Sequence, residues 1–70
     1  MTTEQIIIEL KHRLQECYDV AEANALARMV VEEVLHYSPA DVLLRGNVEQ
    51  DEVFVERLRS IAGRLCKGEP

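Results

Sequence analysis

Seventy residues allow one domain with a single hydrophobic core. Thirteen acidic against eight basic residues give a net charge of −5, which argues against non-specific binding to the phosphate backbone of nucleic acid. Hydrophobic residues make up 47% of the chain, a folding composition rather than a disordered one, and no apolar run approaches the roughly 18 residues of a membrane span.

The first predicted helix runs from about Thr3 to Cys17. Thr2 with Gln5 fits a capping box, and Met1 with Ile6 is spaced as a hydrophobic staple. Ile7, Leu10, Leu14 and Cys17 recur at steps of three and four and predict one buried face, widened by Ile6. A second helix is predicted from about Val20 to His36, opened by Asp19 with Glu22. Ala23, Leu26, Ala27, Val30, Val34 and Tyr37 make its broad apolar face, with Met29, Val31 and Leu35 off the centre. Because its second half is apolar nearly all round, this helix is expected at the middle of a bundle.

A short third helix is predicted over about Pro39 to Arg45. Ser38 is its N-cap, Pro39 occupies the first helical position, Asp41 the third, and Gly46 is expected to close it in the left-handed conformation. Val42 and Leu43 are expected to face the core. The fourth helix begins between Val48 and Asp51 and ends at Lys67, with Phe54, Leu58, Ile61 and Leu65 as its stripe and Val53 and Ala62 beside it. Its acidic start (Glu49, Asp51, Glu52) and basic end (Arg64, Lys67) both suit the helix dipole. Gly63 costs about 1 kcal/mol relative to alanine in a helix interior, and is read either as a close helix crossing or as a plain weakness. No segment alternates with period two, so the fold class is all-α: a small antiparallel bundle of four helices, or five if the second helix breaks or a turn forms near Asn47. Leu26, Val30, Leu58 and Ile61 are the central core candidates.

No catalytic, cofactor-binding or metal-binding residue emerges. His12, His36, Cys17 and Cys66 are the soft metal ligands, and His12 and Cys17 at five apart point to different helix faces, without the short paired spacing of zinc sites. Adjacent Glu32 and Glu33 also diverge and make no acid/base pair. Ser38 is employed as a cap, and there is no Gly-rich phosphate loop. The cysteines are read as small core hydrophobes and the histidines as surface residues. Glu4 stands where a signal peptide would be basic, and two distant cysteines form no disulfide framework. A cytoplasmic chain with reduced thiols is expected; a disulfide between Cys17 and Cys66 stays open. Arg57, Arg64 and Lys67, with Arg59 a little round from them, form a modest basic strip for an acidic partner, or a solvated face with ion pairs to Glu56. Met29 and Val31 are apolar alternatives for a docking surface.

Glu22-Ala23…Ala25-Leu26, Glu33-Val34-Leu35, Ser38-Pro39-Ala40-Asp41-Val42-Leu43-Leu44 and the terminal Leu65…Gly68-Glu69-Pro70 together resemble the N-terminal domain of the release factor glutamine methyltransferases (PrmC, also called HemK). His36 stands where that resemblance suggests glycine, and a single Arg64 stands for the paired arginines often seen before Gly-Glu-Pro. The resemblance implies a helical domain over residues 1–67, with 68–70 opening the connection to a catalytic domain that these residues do not contain. That domain would use S-adenosylmethionine to methylate the side-chain amide of the glutamine in the Gly-Gly-Gln motif of peptide chain release factors. This chain needs no cofactor of its own. Its partners would be the release factor and its own catalytic domain, with no direct nucleic acid, no membrane, and a monomeric state. A free-standing interaction domain is the alternative. An acyl carrier protein lacks support because no Asp-Ser-Leu is present. A helix-turn-helix reading fails on charge, since Asp41, Glu49, Asp51 and Glu52 stand where a recognition helix needs basic or amide side chains.

Overall fold

The computed structural model describes residues 1–68 and contains four helices: α1 (Thr3–Leu14), α2 (Val20–Leu35), α3 (Pro39–Leu44) and α4 (Glu52–Cys66). Each opens on a side-chain cap that satisfies a backbone N–H left without an intrahelical partner. The Thr2 hydroxyl accepts from the Gln5 N–H at 3.2 Å, and the Gln5 side chain accepts from the Thr2 N–H at 2.9 Å. Asp19 accepts from the Glu22 N–H. Ser38 and Asp41 cap each other reciprocally. Asp51 accepts from the Val53 N–H.

Helix α2 is unbroken and packs against α1, α3 and α4, as its all-round apolar character predicts. The chain reverses between α1 and α2 and again before α4, so α1 and α4 run side by side in the same direction, each antiparallel to α2. Three sets of contacts fix this arrangement. At the start, the Thr3 N–H donates to the Val48 carbonyl, the Glu4 N–H to Gly46, and the Gln50 N–H to Met1. At mid-helix Arg59 reaches Glu9. At the far end the Tyr18 hydroxyl donates to the Leu65 carbonyl at 3.0 Å. Buried Thr3 joins the first set: its hydroxyl accepts from the Gln50 amide, which also donates to the Tyr37 hydroxyl.

The core is Ile6, Leu10 and Leu14 of α1, Ala23, Ala27, Val30 and Val31 of α2, Val42 of α3, and Val55, Leu58 and Ala62 of α4. Val30 and Leu58 are buried as expected, while Leu26 and Ile61 are half-buried at the margin. The seam of α4 runs Val55–Leu58–Ala62, not through Phe54. Apolar residues at 53, 54 and 55 admit either line, and the contacts to α1, those of Gln50 with Met1 and Thr3 among them, set the rotation that turns Val55 inward. Val31, read as lying off-centre, is fully buried because α2 is covered on several sides.

Three local expectations are corrected. α1 ends at Leu14, and Gln15–Cys17 turn so that the chain can reach the Asp19 cap. The left-handed residue between α2 and α3 is His36, with φ 56° and ψ 41°, whereas Gly46 keeps a negative φ and α3 ends at Leu44 with Arg45 as its C-cap. Gly46 is instead close to α1: its carbonyl takes the Glu4 N–H, and a side chain there would meet the Glu4 Cβ at 3.8 Å. Leu43 is 73% exposed rather than core. Gly63 has open space where a side chain would project, so it serves no close crossing. Gly68 follows α4 at φ 76°, the usual glycine end to a helix. The Gly-Glu-Pro connection reaches Glu69 and Pro70, which lie outside the described residues.

Candidate protein-docking surface

The basic strip separates into two kinds of residue. Arg59 is structural: its Nε and one terminal nitrogen donate to the two Glu9 carboxylate oxygens at 2.6 and 3.0 Å, and the other terminal nitrogen donates to Glu56 at 3.1 Å. This fork-on-fork geometry clamps α4 to α1. The hydrogen bond from Arg59 holds the Glu9 carboxyl below its usual range, against the opposing effect of partial burial. The same bond raises the Arg59 guanidinium further above its already high value. Arg57, Arg64 and Lys67 are exposed, and among the described residues none has a carboxylate within 4 Å. The expected pairing of Glu56 therefore falls on Arg59 alone.

Of the apolar candidates, Val31 is withdrawn to the core, while Met29 is more than half exposed. Met29 borders a shallow acidic depression with Glu32, Glu33, His36, Tyr37 and Ser38.

Cys17 and Cys66 form a disulfide across the far ends of α1 and α4. The reduced-thiol expectation is corrected, as is the reading of both as core residues, since Cys17 is exposed and Cys66 only half-buried. The parallel pairing of α1 and α4 brings the two Cα atoms to 5.6 Å, inside the range a disulfide requires, and a separation of 49 positions conceals this in the sequence. His12 and His36 are both exposed. Among the described residues no three of His, Cys, Asp or Glu are grouped to hold a metal.

A surface that the sequence did not reveal lies between α1 and α3. α3 spans only six residues and its best packing is on α2, so an open cleft of about 310 Å³ remains beside α1. Ile7, Ile8, Val42 and Leu43 supply its apolar lining, and Glu4, Lys11, Asn24 and Arg28 its polar one. Ile8 is 50% exposed, and Leu44, next to the cleft in sequence, is 80% exposed. Exposed apolar groups gathered in this way mark an interaction surface more often than a simple solvated face. The available clue was the unbroken Val42-Leu43-Leu44 run on a helix too short to bury all three.

The family model described as PrmC N-terminal domain matches residues 5–70 of the chain. No curated protein and no solved structure matches it.

Proposed function

This chain belongs to the PrmC N-terminal domain family, and from that membership we propose that it is the non-catalytic docking module of a protein-(glutamine-N5) methyltransferase. The protein substrate is a peptide chain release factor, and the modified group is the side-chain amide of the glutamine in its Gly-Gly-Gln motif. S-adenosylmethionine, held by a separate catalytic domain, supplies the methyl group. The family match over residues 5–70 is the observation that carries this reading.

The role left to the helical chain is positional. A large substrate held at a second surface presents its glutamine in register, converting part of the remote binding energy into orientation at the reacting amide. The fold suits such a task because α1 and α4 are tied at both ends and in the middle, so the surface is presented rigidly. One small face gives modest affinity alone and gains much more through effective concentration once linked to the catalytic domain.

The test compares full-length enzyme with enzyme lacking the helical domain, on intact release factor and on a short Gly-Gly-Gln peptide. The deletion is expected to impair methylation of the intact factor far more than that of the peptide. Equal loss on both would reduce the domain to a stabiliser of the enzyme.

A further inference from the structure

The cleft between α1 and α3 joins three properties: exposed aliphatic side chains, a concave shape, and cations free to meet a partner. Lys11 and Arg28 both line it, and among the described residues neither has a carboxylate within 4 Å. Arg13, Arg45 and Arg59, by contrast, are engaged with Glu9, Asp41 and the Glu9–Glu56 pair. Among the described residues Glu4 is the one acid lining the cleft. On a chain of net charge −5, this is a local inversion of sign beside an apolar floor.

We propose that the cleft seats a segment of the partner protein that presents an aliphatic or aromatic side chain flanked by carboxylates. The apolar group enters between Ile7, Ile8, Val42 and Leu43, and the acids meet Lys11 and Arg28. This rests on the docking reading above and names its surface and the chemistry it recognises. A small-molecule ligand fits less well, because such sites rely on a few convergent polar groups in an enclosed pocket. Here the cleft is open, and Thr3, the buried polar residue among the described residues, lies outside it. A second copy of the chain is disfavoured by charge, since each copy carries −5 and the two repel. An acidic segment on a different protein meets the cations without that general penalty, and opposite charges at such a rim accelerate encounter.

Two surface variants of the full enzyme, Lys11→Glu with Arg28→Glu and separately Leu43→Ser, test the assignment on intact release factor and on the Gly-Gly-Gln peptide. Both alter exposed or half-exposed side chains, and unchanged circular dichroism verifies the fold. The charge variant is expected to raise KM for the intact factor roughly tenfold, with the peptide unaffected, and to abolish most of its salt dependence. Leu43→Ser shifts KM in the same direction without changing the salt dependence. Arg57→Glu with Arg64→Glu on α4 is the control and leaves both substrates as they were. If deletion of the domain impairs the intact factor but both cleft variants behave as wild type, the cleft assignment falls and the docking reading survives. If the cleft variants impair factor and peptide equally, the catalytic domain occupies the cleft and the proposal is wrong. A dimer in sedimentation that Leu43→Ser dissolves would place a second copy there instead. Equal loss of both substrates on deletion removes the docking reading and the proposal together.

Discussion

His36 holds a backbone conformation that costs an ordinary residue about 1–2 kcal/mol and costs glycine almost nothing. It stands at φ 56° because α2 must stop and turn before the Ser38 cap, and its N–H still donates to the Glu32 carbonyl. His36→Gly should therefore raise stability by about 0.5–1 kcal/mol after the entropy of the more flexible unfolded chain is subtracted. Urea titration of the two proteins reads this directly, and a loss of stability would mean the imidazole has a structural role that its exposure hides. Glu9 gives the pH counterpart. Its carboxyl is held below its ordinary value of 4.5 chiefly by the Arg59 hydrogen bond. A folded pKa lower than the unfolded one contributes stability that is complete above the ordinary value and is lost as pH falls through the lower, folded value. Wild-type stability should thus decline on acidification through this window more steeply than that of Glu9→Gln, which starts lower at neutral pH. Parallel acid titrations of the two unfolding free energies would refute the clamp.

At the scale of the element, the pairing of α1 with α4 organises the molecule. These two helices are far apart in sequence, and the hydrogen bonds, ion pair and disulfide that tie them together all span 42 positions or more, from Glu4–Gly46 upward. Local patterning specified each helix, but only these contacts set the rotation of α4 that buries Val55 and leaves Phe54 at the edge. The disulfide closes a loop of 49 positions, for which the chain-entropy relation gives about 4 kcal/mol. Reduction, or Cys17→Ser, should lower unfolding stability by up to that amount while leaving the helices formed. Denaturation with and without reductant checks it, and identical curves would show that the other α1–α4 contacts already hold the pair. Cys17 is exposed, so reductant has access.

The whole molecule has one contiguous core fed by all four helices, and a domain of this size unfolds as a unit. Leu58 is fully buried at the junction of α4 with the rest, so Leu58→Ala should cost about 2–5 kcal/mol. That is comparable with the roughly 4–10 kcal/mol such a chain possesses, and the variant should melt well below the parent or not fold. Calorimetry measures this, and a drop of under about half a kcal/mol would show that Leu58 is peripheral. The cleft beside α3 also belongs to this scale: no single helix contains it, and it exists because a six-residue helix cannot cover both α2 and α1.

By itself the sequence determined the all-α class, the caps Thr2, Asp19 and Ser38 of the first three helices and the central place of α2, because capping and periodicity act within a turn or two of chain; the Asp51 cap of α4 came from the structure. The ordered segments from Glu22 onward also carried the family resemblance, which the match over residues 5–70 bears out. Tertiary structure alone decided which of Val53, Phe54 and Val55 faces inward, that Val31 is core and Leu43 is surface, that Cys17 meets Cys66, and that an apolar cleft with Lys11 and Arg28 stays open. Each of these depends on how helices distant in sequence are rotated and placed against one another, which local periodicity leaves free.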